Sequence, residues 1–196
     1  MTTELIFVGT ELLLGDIVNT NGAYLAKKCA ALGLSLYYQS VVGDNEERLG
    51  EMIKTAAKRS DIVILCGGLG PTEDDLTKET AAKVMGKELV ENKHSRKRIS
   101  AYLENYVKGH ADRKITENNW KQAMIPEGAI VIDNDNGTAP GVIMEEDSST
   151  LILLPGPPNE LIPMFEDKIF PYLRGRLPEI ICSEVIKICG IGESQA

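Results

Sequence analysis

Apolar runs and helical repeats alternate along the first 66 residues of the chain. The runs, each of which predicts a strand, cover residues 4–9, 36–42 and 61–66. Between them, apolar residues recur at helical spacing up to Gly33 and again up to Arg59. Asp44 is expected to cap the second helix, with Glu47 reaching back in a capping box. This alternation predicts a parallel sheet, because parallel neighbours need a crossover connection.

The rest of the chain continues the same alternation. The periodicities predict helices over 77–85, 92–106 and 118–123 and strands over 129–132, 141–144, 150–154 and 180–190. The turn Asp147-Ser148-Ser149 predicts an antiparallel pair at this edge. A last helix should begin near residues 159–161, since Pro163 is tolerated only in a first turn. Together these elements predict an α/β fold, a three-layer α/β/α arrangement around a mostly parallel sheet.

Composition indicates one compact unit. The 196 residues are 43% hydrophobic and 26% charged, which is ordinary for a globular domain. The four cysteines form no Cys-x-x-Cys pair, which favours a reducing compartment. No secretory signal or membrane-length apolar run is present in the sequence, so the cytoplasm is the expected location.

The charge balance argues against polyanionic partners. The net charge is −8, from 21 basic and 29 acidic residues, so we expect neither a nucleic acid nor an anionic membrane as partner. The basic run around Lys93, Arg96, Lys97 and Arg98 falls on a predicted helix and is interpreted as a solvated face.

The unusual motifs all follow predicted strands. They are Gly9-Thr10-Glu11, Gly43-Asp44, residues 67–77, and Pro155-Gly156-Pro157-Pro158-Asn159-Glu160. In open α/β sheets, ligands bind beyond the carboxyl ends of the strands. The candidate site is therefore where these loops meet.

The glycine loop, Gly67-Gly68-Leu69-Gly70-Pro71-Thr72, is the central motif. Its backbone can approach a phosphate closely, and the helix that starts near Asp75 to Thr77 adds its positive end. The loop has neither the lysine of a Walker A sequence nor Gly-x-Gly-x-x-Gly spacing, which disfavours both of those nucleotide motifs. The alternative is a turn that needs positive φ before a helix.

Glu73, Asp74 and Asp75 follow the glycine loop directly. Three carboxylates beside a phosphate repel it unless a cation intervenes, so this pattern indicates a divalent metal with oxygen ligands. The alternative is that one carboxylate caps the helix while the others are solvated.

Two further loops are candidates for the same crevice. Asn159 and Glu160 begin a helix behind a rigid proline loop, which indicates a wall facing the ligand. The turn containing Gly137 and Thr138 either lines the crevice or is a simple connector. His94 and His110 are interpreted as surface residues, since no Cys/His spacing supports zinc.

Five ordered motifs spread over the whole chain resemble those of one known family. They are Val8-Gly9-Thr10-Glu11-Leu12-Leu13-Leu14-Gly15 with Asn19-Thr20-Asn21, Val42-Gly43-Asp44-Asn45-Glu46, residues 67–77, Gly137-Thr138-Ala139-Pro140-Gly141, and residues 155–160. The chain is similar to the N-terminal domain of the CinA (competence/damage-inducible) family, within the molybdopterin-binding superfamily of MoaB, MogA and MoeA-like folds.

The resemblance implies phosphoanhydride chemistry on a small-molecule nucleotide or pterin. Members of the superfamily bind molybdopterin at the Gly-Gly-x-Gly loop and use an acidic residue that matches Asp75 for adenylyl transfer. The CinA branch is associated instead with metal-dependent ADP-ribose pyrophosphatase activity. A non-catalytic nucleotide-binding and assembly module is a third alternative. The family also suggests a homo-oligomer.

The resemblance further implies a domain division. Residues 1–175 would form the CinA-type domain, and residues 176–196 an exit strand and the start of a truncated linking domain. CinA proteins usually continue into a nicotinamide mononucleotide deamidase domain, which we expect this sequence to lack.

On the leading hypothesis, the site residues divide into three groups. The ligand and its phosphates would be held by Gly67, Gly68, Gly70, Thr72, Thr77, Gly137, Thr138, Pro155, Gly156, Pro157 and Asn159. A divalent metal (Mg²⁺, Mn²⁺ or Co²⁺) would be held by Asp74, Asp75 and Glu160. Asp74 and Asp75 are thereby catalytic residues, and Glu11 or Asp44 would orient the attacking water.

Overall fold

A computed structural model of the chain describes residues 1–108, 115–146, 149–177 and 190. His110, the turn residues Asp147 and Ser148, and all but the last residue of the strand predicted for 180–190 lie outside the described residues. Within the described part of the chain, no helix has the length and hydropathy needed to cross a bilayer.

The described chain contains eight strands, seven α-helices, one 3₁₀ helix and one π-helical segment. The strands are β1 (Thr2–Val8), β2 (Ser35–Val42), β3 (Ile62–Cys66), β4 (Leu89–Glu91), β5 (Met124–Pro126), β6 (Ile130–Ile132), β7 (Gly141–Glu145) and β8 (Thr150–Leu154). The helices are α1 (Thr10–Leu14), α2 (Thr20–Ala31), α3 (Glu46–Arg59), α4 (Thr77–Val84), α5 (Lys93–Lys108), α6 (Pro158–Met164) and α7 (Phe170–Arg174). A 3₁₀ helix spans Glu117–Ala123, and a π-helical segment spans Phe165–Ile169.

Six strands form one mixed, mostly parallel sheet in the order β2-β1-β3-β8-β7-β6. The pairs β1 with β2, β1 with β3, and β3 with β8 are parallel, whereas β7 is antiparallel to both β8 and β6. The predicted fold class and the antiparallel edge are therefore confirmed. The separate antiparallel pair of β4 and β5 was not predicted, because each strand has only three residues.

Alternate residues of β1 face two different hydrophobic cores. Leu5 and Phe7 pack in a cluster that contains residues of α2 and α6. Ile6 and Val8 pack in a second cluster that contains residues of α3 and α4. Because both faces of the strand are covered by helices, six of the seven β1 residues are buried, and the four from Leu5 to Val8 are apolar. Helices therefore cover both faces of the sheet, which gives the three layers of the predicted α/β/α arrangement.

The start of α3 differs from the prediction. Asn45, not Asp44, is the N-cap, and its side chain accepts a hydrogen bond from the Arg48 N–H at 3.0 Å. The Asp44 carboxylate is instead turned towards α1, where its Oδ2 accepts from the N–H and the hydroxyl of Thr10 at 2.9 and 2.8 Å. The helix begins one residue later than predicted because this contact holds Asp44.

The last helix begins at Pro158, so Pro163 lies beyond its first turn, contrary to the prediction. A proline at position 163 cannot donate to the Asn159 carbonyl four residues earlier. That carbonyl accepts from the Asn136 side chain at 3.1 Å instead. The helix tolerates the proline because a neighbouring loop satisfies the freed acceptor.

Candidate functional site

The glycine loop (residues 67–72) leaves β3 between the ends of β1 and β8. Gly67 and Gly68 have φ values of +105° and +65°, which favour glycine. A Cβ at Gly67 would overlap the Val8 carbonyl, and one at Gly68 would overlap the Thr77 hydroxyl. The loop needs glycine here both for its backbone angles and for close packing.

Hydrogen bonds fasten both ends of the glycine loop. The Gly67 N–H donates to the Leu154 carbonyl at 3.0 Å, and the Thr77 N–H donates to the Gly68 carbonyl at 3.1 Å. The N–H groups of Gly68, Leu69 and Gly70 make no hydrogen bond within the described residues. The amides of this loop are therefore available to an anion.

Asp75 closes the end of the glycine loop. Its Oδ2 accepts from the Thr72 N–H at 3.0 Å and from the Thr72 hydroxyl. A Cβ at Gly70 would overlap the Asp75 carboxylate, so glycine is needed at that position to leave it room. Lys121 of the 3₁₀ helix donates to the carbonyls of Thr72 and Asp75 at 2.8 and 2.5 Å. The carboxylate is thus held in place by its own loop.

Asp74 lies beside Asp75 and is exposed. The Thr72 side chain next to it is the main reason that the pKa of Asp74 is below its usual value. Asp74 therefore remains a carboxylate over the whole neutral range.

Glu160 stands on the opposite wall. Its Oε2 accepts from Asn134 Nδ2 at 2.7 Å, and a Cβ at Gly137 would overlap its carboxylate. Asn134 is buried and also donates to the Ala139 carbonyl at 2.9 Å. Burial raises the pKa of Glu160, although the hydrogen bond from Asn134 opposes the shift.

Glu11 and Asp44 occupy the third side, at the carboxyl ends of β1 and β2. The Glu11 carboxylate lies against Gly9, where a Cβ would come within 2.5 Å of Oε1. Asp44 is oriented by Thr10, as described above. Both carboxylates are thus placed by short contacts within the first loops of the sheet.

The proline loop (residues 155–157) is tied to α2. Asn21 Nδ2 donates to the Gly156 carbonyl at 2.7 Å and to Cys66 Sγ at 3.3 Å. Burial raises the pKa of the Cys66 thiol to about 12, so it stays protonated at neutral pH and is a poor nucleophile.

These loops enclose a cavity of about 410 Å³, within the usual range of roughly 300–1,000 Å³ for small-molecule sites. We call it the main cavity. Of the residues predicted for the site, those that border it are Glu11, Asp44, Gly67, Gly68, Gly70, Thr72, Asp74, Asp75, Thr138, Pro155, Gly156, Pro157 and Glu160. Five of these are carboxylates, and no lysine, arginine or histidine of the described residues borders it.

Three predicted residues do not border the main cavity. Thr77 is fully buried behind Gly68, with its hydroxyl unpaired. Gly137 faces Glu160 from a smaller neighbouring cavity. Asn159 is exposed, and its carbonyl accepts from Asn136. Gly137 and Asn159 are each adjacent in sequence to a residue that does reach the cavity, and Thr77 follows Asp75 by two positions, so a motif alone could not separate them.

Asp74, Asp75 and Glu160 supply the carboxylate oxygens that hard divalent cations prefer. The described residues contain no group of three or more His, Cys, Asp or Glu side chains placed closely enough to hold a metal ion by themselves. The metal site predicted at these three carboxylates therefore stays a prediction, in which Mg²⁺ would take its remaining ligands from a phosphate and water.

Three residues of the site were missed by the sequence analysis. Gln122 is buried, borders the main cavity and donates to the Leu69 carbonyl at 3.3 Å, while its Oε1 has no partner. Asn134 and Lys121 hold Glu160 and Asp75 through the contacts given above. Lys121 and Gln122 lie in no glycine-rich or acidic motif, and Asn134 lies between two aspartates just before the turn at Gly137, so only long-range packing reveals their roles.

Comparison with known proteins agrees with this architecture. A family model described as a probable molybdopterin binding domain matches residues 4–175. A Clostridium beijerinckii protein with a competence-damage inducible name is 54% identical over 194 residues, which are 99% of this chain and 46% of that protein. A CinA-like protein of Dictyoglomus thermophilum is also 54% identical over 194 residues, with the same coverage of both chains. The chain thus spans about half the length of these curated relatives.

Solved structures show the same fold. The crystal structure of a Thermoplasma acidophilum CinA protein aligns with a TM-score of 0.74 and 33% identity, over 84% of this chain and 94% of that chain. A MoaB from Thermus thermophilus aligns with a TM-score of 0.53 and 14% identity, over 89% of this chain and 96% of that chain, which shows the fold alone. The chain therefore belongs to the probable molybdopterin binding domain family, and within that family it is a CinA-type domain.

Proposed function

We propose that this domain hydrolyses a nucleoside diphosphate sugar such as ADP-ribose at its pyrophosphate, in a reaction that requires a divalent metal. One observation carries the proposal. The main cavity combines free backbone amides on the glycine loop with five carboxylates and no bordering basic side chain among the described residues. Such a cavity repels a diphosphate that comes alone and accommodates one that comes with a cation.

The proposed role of each residue follows from its position in the main cavity. The amides of Gly68 and Gly70 would bind the phosphate oxygens, and Asp74, Asp75 and Glu160 would hold Mg²⁺, Mn²⁺ or Co²⁺. When bound, the metal would lower the pKa of a water and polarise the phosphoryl oxygen.

Glu11 and Asp44 would orient the attacking water from the ends of β1 and β2. Its oxygen forms a bond to one phosphorus as the bridging P–O bond breaks, and the water proton passes to a carboxylate. The products are a nucleoside monophosphate and a sugar phosphate.

The first test is substitution of Asp75. Asp75→Ala removes the carboxylate and the acceptor for Thr72, and we expect ADP-ribose turnover to fall by about 10²–10³-fold. Glu73→Ala is the matched control, since Glu73 belongs to the same acidic run, is exposed and does not border the main cavity. Turnover should be measured with each of the three metals and with a chelator, and folding should be checked by circular dichroism.

The outcome decides the residue's role. Equal turnover in Asp75→Ala and wild type would remove Asp75 from the mechanism. A screen of several nucleoside diphosphate sugars against the three metals would identify the preferred substrate, and activity that survives a chelator would exclude the metal requirement.

Molybdopterin binding or adenylylation is the second candidate. It is favoured by the family model, whose description is a probable molybdopterin binding domain, and by the likeness to the MoaB fold. Tight association with molybdopterin without turnover of ADP-ribose would favour it. ADP-ribose binding without turnover in any of the three metals would favour a non-catalytic nucleotide-binding module.

A further inference from the structure

Two neighbouring residues of the 3₁₀ helix, Lys121 and Gln122, hold the glycine loop and the residues after it by their backbone carbonyls. Lys121 Nζ donates to the carbonyls of Thr72 and Asp75. Gln122 Nε2 donates to the Leu69 carbonyl at 3.3 Å. Of these three carbonyls, that of Leu69 is the nearest along the chain to the loop amides that have no partner.

The Leu69 carbonyl and the Gly70 N–H belong to the same peptide unit. The described residues contain no cis peptide bond, so the carbonyl and the N–H of this planar unit point in opposite directions. A hydrogen bond to the carbonyl therefore also fixes the direction of the Gly70 N–H. That N–H makes no hydrogen bond within the described residues, and Gly70 borders the main cavity.

The preceding peptide unit is held in the same way, but by the backbone. The Thr77 N–H at the start of α4 donates to the Gly68 carbonyl at 3.1 Å, and this carbonyl shares its peptide unit with the Leu69 N–H. Two successive amides are thus directed through their own carbonyls, while both N–H groups stay unpaired within the described chain. Successive free N–H groups of this kind form anion-binding concavities. The direction of the second N–H depends on one side chain, that of Gln122.

The Gln122 amide is buried without being fully paired. The residue is 2% exposed and borders the main cavity. Its Oε1 has no hydrogen-bond partner among the described residues. A buried amide oxygen without a partner destabilises the folded chain, and an apolar side chain of similar length would avoid that loss. A role in the site explains this glutamine better than a contribution to stability does.

We propose that Gln122 is a positioning residue for anion binding, which holds the Leu69–Gly70 peptide unit so that the Gly70 N–H can donate to a phosphate oxygen in the main cavity. Gln122 acts through the backbone and does not contact the ligand itself. This role rests on the proposed function only in requiring an anion at the glycine loop. It applies equally to a nucleoside diphosphate and to a phosphorylated pterin.

The experiment removes the donor without adding a charge, through Gln122→Met and Gln122→Leu. Titration calorimetry with methylenediphosphonate and Mg²⁺ measures the anion affinity of each chain. We expect both variants to bind this probe about tenfold more weakly than the unaltered chain, because one hydrogen bond to a charged group is no longer prepared in advance.

NMR relaxation of the ligand-free chain separates positioning from direct contact. The order parameter of the Gly70 N–H should fall in both variants, because its peptide unit is no longer held. The Leu69 N–H is an internal control. Its order parameter should stay the same, since its peptide unit is held by the Thr77 N–H.

Two controls exclude a general loss of folding. The melting temperature of Gln122→Met should not fall, since the variant removes the unpaired Oε1 together with the donor. Gln39→Met alters an exposed glutamine of β2 that does not border the main cavity, and it should leave the affinity and the order parameters unchanged.

Three results would overturn the positioning role. An unchanged affinity for the probe in both variants would show that Gln122 is not needed. A lower affinity with an unchanged Gly70 order parameter would mean that Gln122 contacts the anion directly. A lower affinity that appears only together with a lower melting temperature would make the role structural.

The proposed function is judged separately, by ADP-ribose turnover of the unaltered chain. If the unaltered chain turns over ADP-ribose and the variants bind the probe as well as it does, the role of Gln122 falls and the proposed function stands. If the unaltered chain binds the probe without turnover and the variants weaken it as expected, the positioning role stands and the hydrolase proposal falls. If the unaltered chain does not bind the probe, the positioning role falls.

Discussion

Single glycines determine whether the glycine loop can form. Gly67 and Gly86 both have positive φ, at +105° and +64°. They differ in their surroundings, because a Cβ at Gly67 would overlap the Val8 carbonyl whereas a Cβ at Gly86 would meet nothing within 4 Å. The pair therefore separates backbone strain from steric overlap.

We predict that Gly67→Ala is much more destabilising than Gly86→Ala. The Gly86 variant should lose about 1 kcal/mol of unfolding free energy, the cost of a left-handed backbone at alanine. The Gly67 variant should lose about 1–3 kcal/mol more, because β1 must shift to admit the methyl group. Urea unfolding of both variants measures this, and equal losses would mean that the loop can move away from β1.

A buried lysine also acts at the residue scale. Lys78 is 4% exposed, and its Nζ donates to the Lys121 carbonyl at 2.7 Å. Burial lowers the pKa of Lys78 from 10.5 to about 8. Lys78 therefore positions Lys121, which holds the end of the glycine loop. Burial of its amine opposes this stabilisation.

The lowered pKa predicts a pH-dependent stability. Between about pH 8 and pH 10.5 the unfolded chain holds a proton on Lys78 that the folded chain has released. The free energy of unfolding therefore rises with pH across this range, and this gain is lost as the pH falls through about 8. Relative to Lys78→Met, the free energy of unfolding of the wild type should rise by about 1.4 kcal/mol per pH unit above pH 8. Lys83→Met, on the exposed side of α4, should show no such trend in urea unfolding at pH 7 to 9.5. A flat difference for Lys78→Met would mean that the amine is solvated.

At the scale of elements, one ion pair joins β1 to the end of α3. The Glu4 side chain is 1% exposed, and Arg59 donates to both of its oxygens at 2.9 and 2.7 Å. Ser60 donates to Glu4 as well, and the guanidinium lies 3.6 Å from the centre of the Tyr38 ring on β2. A charged residue can thus occupy the buried first strand because α3 brings its partner.

Breaking this pair should cost far more than removing a neighbouring charge. Arg59→Met leaves the buried Glu4 carboxylate with Ser60 as its remaining donor, and we expect a loss of unfolding free energy several times that of the neighbouring control. Lys58→Met, at the adjacent exposed position, should change it by less than about 0.5 kcal/mol.

A second substitution checks the cause. Glu4→Gln made in the Arg59→Met background removes the unpaired charge and should restore more than half of the lost stability. If it restores nothing, the loss comes from packing of the arginine on Tyr38 rather than from charge.

At the scale of the whole molecule, surface apolar residues cluster at one place. Leu13, Leu14, Ile17 and Val18, in and just after α1, are between 52% and 83% exposed. Contiguous apolar surface of this kind commonly marks an interaction site. It supports the proposal, suggested by the family resemblance, that the chain forms a homo-oligomer.

We predict that the chain forms an oligomer in solution, so its measured mass should exceed that of one chain. Light scattering at micromolar concentration should give a value larger than 21.4 kDa, and Leu14→Ser with Val18→Ser should lower it. A mass of 21.4 kDa for the unaltered chain would contradict the proposal.

The sequence by itself determined the order of the main elements and the location of the site. Its apolar runs fixed β1, β3 and β8, because strands buried on both faces leave little room for polar residues. The glycine loop could be recognised because positive φ and close packing require glycine at Gly67 and Gly68. The carboxyl-end rule then placed Asp75, Glu11 and Glu160 around one cavity.

Tertiary structure decided which residues of each motif reach that cavity and what holds them. Asp44 binds Thr10 rather than capping α3, and Thr77 lies behind the glycine loop. The packing of separate strands decides where each of these two side chains points. Lys121 donates to the Asp75 carbonyl and Asn134 to the Glu160 carboxylate, 46 and 26 positions away along the chain. Contacts over such distances leave no local pattern in a sequence, since they depend on where the sheet brings the loops together.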